Sequence, residues 1–282
     1  MTRFVETLYD AYAQEFSVDK LYFESKTEHQ HLIIFHNALF GRVMVLDGIV
    51  QTTEKDEFIY HEMLTHVPIF GHGNAKQILI IGGGDGGIVR ELSRHATIES
   101  ITQVEIDADV IEMSKTHLPN HSQGAFDDPR LELVIGDGFD FMKSCTEQFD
   151  IIISDSTDPI GPGDVLFTNE FYTHCRARLA DGGILVAQNG VAYLQLDEAQ
   201  TTSRHLQKIF KYSTFFSAMV PTYVGGTMTF AWASDDPDKR QLKLEILNNR
   251  FRQSKIKTRY YTPEIHVASF ALPRYLIDAI EE

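Results

Sequence analysis

The chain has 282 residues, and its 25 Lys and Arg against 40 Asp and Glu give a net charge of −15. Hydrophobic residues make up 43% and charged residues 23%, which excludes a disordered chain, a collagen-like rod and a coiled coil. A strongly acidic protein repels a phosphate backbone, so nucleic acid is not expected as a partner, whereas a cationic ligand fits the charge. The alternative is that the surplus acid only keeps the protein in solution.

Membrane and disulfide patterns are both missing from the sequence. No apolar run approaches the roughly 20 residues of a membrane span, and the first residues carry acids where a signal peptide has an apolar block. We therefore expect a cytoplasmic protein without a membrane partner. Cys145 and Cys175 form no CxxC pair and no zinc-ligand spacing, so we expect two buried thiols and no structural metal.

The first part of the chain has the pattern of antiparallel strands. Its short apolar runs are broken at Asn37, at Gly41 and at Asp47-Gly48, which is typical of β-hairpins. With the helix that follows, this part predicts an N-terminal β-stranded domain over residues 1–72.

A helix is predicted after these strands, in the segment TEKDEFIYHEMLTHVPIF. Tyr60, Met63 and Val67 have the spacing of one helix face. We expect Thr53 to cap this helix and Pro68 to stop it.

From residue 73 to 282 the pattern becomes strand, glycine turn and helix, repeated. The apolar runs QILII, SITQV, LELVI, FDIII and GGILV are rich in Ile, Val and Leu and are separated by helical segments, which predicts a parallel sheet covered on both faces. STFFSAMV and GTMTFAWAS predict an antiparallel pair at the C-terminal edge, followed by an amphipathic stretch near 238–251 and a closing helix after Pro273. The predicted fold class is α/β, with a Rossmann-like sheet as the second domain.

A nucleoside pocket is predicted at the ends of the first three strands of this sheet. The glycines of GGGDGG, residues 82–87, follow a buried strand and precede a helix, so the backbone can turn tightly against a ligand. Glu105 ends the next strand and can accept both hydroxyls of a ribose, and Asp137 ends the following strand and can accept from an adenine amino group. A solvated loop carboxylate is the alternative for each acid alone, but acids at successive strand ends favour a pocket.

Two classes of nucleoside fit this pocket, dinucleotides and sulfonium nucleosides of the S-adenosylmethionine type. Asp85 lies inside the glycine turn, and a pyrophosphate charge about 4 Å away would cost roughly 4 kcal/mol at an effective dielectric constant of 20. A ligand with a sulfonium and an ammonium group would pair with Asp85 instead. The sequence therefore disfavours a dinucleotide.

The next strand, FDIIIS, is followed by two carboxylates, Asp155 and Asp158, at the edge where open α/β sheets bind ligands. The proline and glycine residues of the segment 159–163 predict a loop suited to covering a pocket. A second interpretation is that Asp158 caps the helix near Thr168 or stabilises the turn before Pro159.

Six motifs together resemble the polyamine aminopropyltransferase, or spermidine synthase, family in its bacterial form. They are GGGDGG at 82–87, VEID at 104–107, GDGF at 136–139, SDSTDPIGP at 154–162, LDGIVQTTEKDEFIYHEML at 46–64 and PTY at 221–223. The resemblance extends from about residue 20 to the C-terminus. It implies a Rossmann-like domain of the S-adenosylmethionine methyltransferase type and a homodimer or homotetramer built through the N-terminal region.

The activity that this resemblance implies is transfer of an aminopropyl group from decarboxylated S-adenosylmethionine to putrescine, giving spermidine and methylthioadenosine without a metal ion. By position, Asp155 resembles the catalytic base. The residues that resemble nucleoside contacts are Gln30, Gln51, Asp85, Glu105, Asp137, Gly138 and Pro162. The residues that resemble those around the polyamine are Tyr60, His61, Asp155, Asp158 and Tyr223.

The chemistry of an amine nucleophile explains why such residues are needed. An alkylamine has a pKa of roughly 10, so its neutral form carries a handicap of about 4 kcal/mol at pH 7. We expect Asp155, partly desolvated at a strand end, to have a raised pKa and to remove the proton. Tyr60 could orient the same nitrogen, although packing is the common role of such an aromatic residue. His61 could accept from Tyr60 and is expected to be a contact rather than a catalyst.

The distal ammonium of the diamine needs its own partners, because burying an unpaired charge is costly. We expect Asp158 and a second acid to meet it. Two other functions fit the same pattern, a methyltransferase for a cationic substrate and a polyamine-binding sensor without turnover.

Overall fold

The computed structural model of the chain describes residues 2–159 and 161–281, without the side chain of Pro162. Its N-terminal part contains two antiparallel sheets. Their strands are β1 (Thr2–Val5) with β2 (Glu15–Val18), and β3 (Lys20–Lys26), β4 (His31–Asn37), β5 (Gly41–Leu46) and β6 (Ile49–Thr53). Turns at 38–40 and 47–48 join β4, β5 and β6, which confirms the predicted hairpins.

The predicted cap of the first helix is wrong. Helix α1 spans Glu57–His72, and its N-cap residue is Asp56. Thr53 is still part of strand β6, where sheet hydrogen bonds fix its backbone, and its hydroxyl donates to Asp56 Oδ1 at 2.6 Å. Thr53 therefore fixes the turn before the helix rather than capping the helix itself.

The predicted end of α1 is also wrong, because the helix continues through Pro68. A proline removes one helical hydrogen bond, whereas the residues around it, Val67, Ile69 and Phe70, are buried in the core and stabilise the helix through packing. The helix ends at His72, and the C-cap residue Gly73 has a left-handed backbone that lets its N–H donate to the carbonyl oxygen of Ile69 at 2.9 Å.

A seven-stranded sheet forms the centre of the second part, in the order β12-β13-β11-β10-β7-β8-β9. Its strands are β7 (Gln77–Gly82), β8 (Ser100–Glu105), β9 (Leu131–Ile135), β10 (Phe149–Asp155), β11 (Leu179–Val191), β12 (Tyr212–Met219) and β13 (Thr227–Ser234). The five strands from β11 to β9 are parallel, whereas β12 and β13 form an antiparallel edge. The structure confirms the predicted α/β class and its antiparallel edge.

Helices cover both faces of this sheet, as the apolar strand sequences predict. The helices that contribute to the two cores are α1, α2 (Gly87–Ser93), α5 (Gly138–Ser144), α6 (Asn169–Arg178), α7 (Leu196–Ile209), α8 (Leu244–Ser254), α9 (Pro263–Ser269) and α10 (Arg274–Glu281). Helix α3 (Ala108–His117) instead packs through Val110 against β4 and β5 of the N-terminal sheet, and α4 (Pro119–Ser122) follows it. Ile78 and Ile80 of β7 pack in the core that contains α1 and α2, and Leu79 and Ile81 pack in the opposite core with α6 and α7. This alternation follows from the two-residue period of a strand.

The predicted division of the chain at residues 72 and 73 stays a prediction. Helix α1 contributes Met63 and Leu64 to the same core as β7 of the large sheet.

The predicted amphipathic stretch and the closing helix correspond to α8 and α10. Of the two cysteines, Cys175 is buried as predicted, whereas Cys145 is partly exposed. Within the described ranges, none of the helices is both long and apolar enough to cross a bilayer.

Candidate active site

A cavity lies at the carboxyl ends of β7, β8, β9 and β10, between the large sheet and residues of the N-terminal part. Eleven of the twelve predicted site residues line it. They are Gln30, Gln51, Tyr60, His61, Asp85, Glu105, Asp137, Gly138, Asp155, Asp158 and Tyr223. The twelfth, Pro162, lies outside the described side chains. The fold therefore brings the predicted nucleoside and acceptor residues into one cavity.

The glycine turn packs directly against the backbone of Asp155. Gly82 of β7 pairs in register with Asp155 of β10, and the N–H of Gly83 donates to the Asp155 carbonyl oxygen at 3.1 Å. Gly82 has φ +87°, and a Cβ there would lie 2.0 Å from that carbonyl oxygen. Gln103, which was not predicted, donates to the carbonyl oxygens of Gly82 and Gly83 at 2.9 and 2.8 Å. The turn is thus fixed from both sides.

The carboxyl group of Asp155 bonds to Tyr60. The Tyr60 hydroxyl donates to Oδ1 at 2.5 Å. Burial, followed by the charge of Asp85, raises the pKa of Asp155 to about 6, while His61 and the Tyr60 bond act in the opposite direction. Burial and the nearby Asp155 raise the pKa of Tyr60 well above its usual 10, so the hydroxyl keeps its proton and donates it in this bond.

The prediction that His61 accepts from Tyr60 is wrong. The two rings meet edge-on, with 5.5 Å between their centroids, but the Tyr60 hydroxyl donates to Asp155 instead. His61 lies instead between two carboxylates, with Nδ1 2.6 Å from Glu57 Oε2 and Nε2 3.1 Å from Asp85 Oδ2. A Cβ at Gly87 would lie 2.3 Å from the His61 ring, so a glycine is needed there.

These contacts charge the imidazole of His61. Burial alone would lower its pKa, but Asp85 and Glu57 raise the pKa to about 10, which makes it an imidazolium at neutral pH. Burial opposes ionisation of Asp85, yet His61 holds its pKa below the usual range. The Arg90 guanidinium bonds to Glu57 at 2.8 Å, so Asp85, His61, Glu57 and Arg90 form a buried network of ion pairs. Asp85 therefore shares its charge with His61, whereas the sequence predicted only a cationic ligand as its partner.

The predicted nucleoside side is built from the ends of β8 and β9. Glu105 is buried, which raises its pKa to about 7, and its Oε1 accepts from the N–H of Asp107 at 3.0 Å. Asp107 Oδ2 accepts from the side chain of Gln30 at 3.0 Å, which attaches the N-terminal sheet to this edge. Asp137 caps α5, because its Oδ1 accepts from the N–H of Phe139 at 2.7 Å.

Tyr223 and Gln51 connect this side to the acceptor side. The Tyr223 hydroxyl donates to the Gln51 carbonyl oxygen at 2.7 Å. Its ring meets that of Tyr60 edge-on, with 5.8 Å between the ring centroids. The two tyrosines thus form a continuous aromatic wall beside Asp155.

Asp158 faces the same cavity and does not cap a helix. Thr168 is the N-cap of α6, since its hydroxyl oxygen accepts from the N–H of Phe171 at 3.2 Å. Asp158 Oδ1 instead accepts from Gln195 Nε2 at 2.9 Å, and burial raises the pKa of Asp158. The predicted covering loop leads into a 3₁₀ helix over Gly161–Phe167, whose residues Gly163, Val165 and Leu166 line the cavity.

Two residues of this side were not predicted, Gln195 and Glu6. Glu6 lies just after β1 and lines the cavity, and its Oε1 accepts from the N–H of Val50 at 2.9 Å. Burial raises its pKa, and the charge of Asp158 adds to the rise. Glu6 lies before residue 20, where the resemblance to the family begins, so nothing in the local sequence pointed to it.

Two family models match the chain. One is described as a spermine/spermidine synthase domain and matches residues 57–243, and the other as a spermidine synthase tetramerisation domain and matches residues 4–54. Polyamine aminopropyltransferase 1 of Pseudomonas aeruginosa is 59% identical over 280 residues, which cover 99% of this chain and 98% of that protein. The polyamine aminopropyltransferase of Pectobacterium carotovorum is 59% identical over 276 residues, covering 98% and 96%.

Two solved structures that resemble this chain are spermidine synthases. One, in complex with the transition state analogue AdoDATO, has a TM-score of 0.93 and 36% identity and covers 99% of this chain and 95% of its own. The enzyme from Thermotoga maritima has a TM-score of 0.90 and 35% identity, covering 99% and 94%. These similarities confirm the predicted methyltransferase-like fold class over the whole chain.

Proposed function

The chain belongs to the spermidine synthase family of polyamine aminopropyltransferases, and we propose that it transfers the aminopropyl group of decarboxylated S-adenosylmethionine to putrescine. The products are spermidine and methylthioadenosine. The observation that carries the proposal is the half-buried Asp155 carboxyl, which lines the cavity beside Tyr60 and has a raised pKa of about 6. The similar spermidine synthase that binds a transition state analogue supports a transfer reaction.

Asp155 acts as the general base. Tyr60 bonds to its Oδ1, so the proton of the attacking amine is received at Oδ2. The nitrogen lone pair forms the new bond to the methylene carbon next to sulfur, and the electrons of the carbon–sulfur bond pass to the sulfonium, which leaves as a neutral thioether. A carboxylate with a pKa of about 6 is ionised at neutral pH and is still a stronger base than an exposed aspartate.

Asp158 and Glu6 bind the distal ammonium. Both line the cavity, and both have pKa values that burial raises, so a cation between them would be stabilised by two carboxylates. Glu6 is thus the second acid that the chemistry of a diamine requires.

The nucleoside lies at the ends of β8 and β9 in this proposal. Glu105 accepts from the ribose hydroxyls through Oε2, and Asp137 accepts from the adenine amino group. Asp85 pairs with the ammonium of the donor. The remaining predicted contacts on this side are Gln30, Gln51, Gly138 and Pro162. No metal ion or further cofactor takes part.

We further propose a cytoplasmic homo-oligomer. The match of residues 4–54 to a tetramerisation domain supports assembly through the N-terminal part. The polyamine and the donor remain the only small-molecule partners in this proposal.

The test is product analysis by mass spectrometry with purified protein. Decarboxylated S-adenosylmethionine and putrescine should give spermidine and methylthioadenosine in equal amounts, and ordinary S-adenosylmethionine should give no methylated product. Methyl transfer from ordinary S-adenosylmethionine alone would identify a methyltransferase. Calorimetric binding of putrescine without any methylthioadenosine would identify a sensor, and either result would overturn the proposal.

A further inference from the structure

The acceptor end of the cavity is bounded by the side-chain amide of Gln195, the residue before α7. Its Nε2 donates to Asp158 Oδ1 at 2.9 Å and to Glu198 Oε2 at 3.2 Å. Its Oε1 accepts from the N–H of Val191 at 2.7 Å and from the Tyr9 hydroxyl at 3.1 Å. These four bonds use both N–H groups and both lone pairs of the oxygen, so the amide has one fixed orientation.

The backbone is shaped to hold this amide. Gly190 has φ +60°, and a Cβ there would lie 2.6 Å from Gln195 Oε1. Any side chain at this position would displace the amide or strain the backbone. The backbone at the end of β11 therefore fixes the position of the Gln195 amide.

Glu198 lies behind this amide, in the first turn of α7. Gln195 lines the cavity, whereas Glu198, within the described part of the chain, does not belong to its lining. The described partners of its carboxylate are the amides of Gln195 and Asn189, at 3.2 and 2.9 Å, and neither is a cation. Burial, followed by the charge of Asp158, raises the pKa of Glu198 to about 8.

We propose that Gln195 determines the length of the amine acceptor, and that Glu198 is a second carboxylate which a longer amine would reach if the amide were removed. Because one nitrogen bonds to both acids, the two carboxylate oxygens lie no more than about 6 Å apart. Putrescine ends at Asp158, and the amide blocks an additional methylene or aminopropyl unit from passing toward Glu198. The inference rests on the proposed function, because it takes Asp158 to bind the distal ammonium.

A purely structural role for Gln195 makes a different prediction. If the amide only oriented Asp158, its loss would lower kcat/KM by a similar factor for every acceptor. If the amide also limits the length of the acceptor site, its loss would change the ratio of kcat/KM between a long and a short acceptor. The ratio of kcat/KM for two amines in one protein preparation does not depend on the folded fraction, so it separates the two roles even where a variant is less stable.

The experiment compares putrescine, cadaverine and spermidine as acceptors for Gln195→Ala and the wild type, with methylthioadenosine as the readout. In Gln195→Ala, the ratio of kcat/KM for spermidine to that for putrescine should rise at least about tenfold, the order of effect of opening a pocket by a small group. Gln195→Met is the matched control. It loses the same hydrogen bonds but keeps the length of the side chain, so its ratio should stay near that of the wild type.

A double variant tests the part played by Glu198. Gln195→Ala with Glu198→Gln should lose the gain for spermidine, because an amide does not neutralise an ammonium as a carboxylate does. An unchanged ratio in Gln195→Ala, or a gain that persists in the double variant, would overturn the inference while the wild type still forms spermidine. A wild type that forms no methylthioadenosine with any amine would overturn the proposed function and the inference together.

Discussion

The hydroxyl of Tyr60 donates to Oδ1 of Asp155 at 2.5 Å and so connects the first turn of α1 to the end of β10. Asp155 is also fixed through its backbone, because it pairs in register with Gly82 of β7. The Tyr60 bond opposes the effects of burial and of Asp85 on the pKa of this carboxyl. The contact therefore positions the Asp155 carboxyl and lowers its pKa.

Tyr60→Phe should move the acidic limb of the pH profile of kcat to higher pH. Removing the hydroxyl removes one of the causes that lower the pKa of Asp155, so the carboxyl is protonated at higher pH and activity is lost earlier on acidification. We also expect kcat at neutral pH to fall, because the carboxyl loses its orienting bond. Initial rates of methylthioadenosine formation at saturating putrescine between pH 5 and about 9 measure both effects.

Tyr223→Phe is the matched control for this shift. The Tyr223 hydroxyl donates to the Gln51 carbonyl oxygen rather than to Asp155. The acidic limb should therefore stay close to that of the wild type, even if the KM for putrescine changes. An equal shift of the limb in both variants would contradict the role given to the Tyr60 bond.

The stability of the protein should fall between pH 7 and 10 because of His61. The pKa of His61 is about 10 in the folded protein and lies above the ordinary 6.5, so binding of a proton to His61 stabilises the folded state. That contribution is complete below about pH 6.5 and is lost as the pH rises through 10. The slope is up to about 1.4 kcal/mol per pH unit. Urea denaturation of the wild type and His61→Gln should show a smaller loss of stability in the variant, and parallel curves would contradict this assignment.

Glu57→Gln should destabilise the fold strongly. Glu57 is buried between His61 and Arg90, so its neutralisation leaves the two cations without their shared partner. Breaking a buried ion pair from one side typically costs about 3 kcal/mol. Arg176→Gln, which removes an exposed pair with Asp235, is the control and should change the free energy of unfolding much less. Similar losses in both variants would show that burial does not matter here.

Gly82→Ala should disturb the glycine turn and Asp155 together. The left-handed backbone alone costs an alanine about 1–2 kcal/mol, and the contact with the Asp155 carbonyl oxygen adds to it. Gly136→Ala is the control, since a Cβ there would meet nothing within 4 Å, and its effect should stay within about 0.5 kcal/mol. Thermal denaturation measures both, and a tolerated Gly82→Ala would contradict the described packing.

The parts of the fold that the sequence predicts are those with a local physical cause. After residue 73, continuous apolar strands are separated by glycine turns and helices, and this pattern predicts a parallel sheet. Parallel strands place their carboxyl ends at one edge of the sheet. For this reason the sequence alone predicts one cavity for the four acids Asp85, Glu105, Asp137 and Asp155. Their roles as ligands of a nucleoside or a polyamine stay predictions.

The parts that could not be predicted depend on tertiary contacts. Pro68 is a local helix breaker, but the surrounding core keeps α1 helical, and the strand pairing of Thr53 prevents it from capping. Glu6 and Gln195 reach the cavity from segments far apart in the chain, one after β1 and one before α7. No spacing rule connects such residues, because their proximity follows from how the two parts pack.

The most direct test of the account is to measure turnover and donor affinity separately in Asp155→Asn. We predict that kcat falls by about 10² or more, as for loss of a general base, and that raising the pH partly restores it. The dissociation constant of decarboxylated S-adenosylmethionine, measured by calorimetry, should remain close to that of the wild type. Near-normal turnover, or a loss of donor affinity as large as the loss of kcat, would contradict Asp155 as the group that removes the proton.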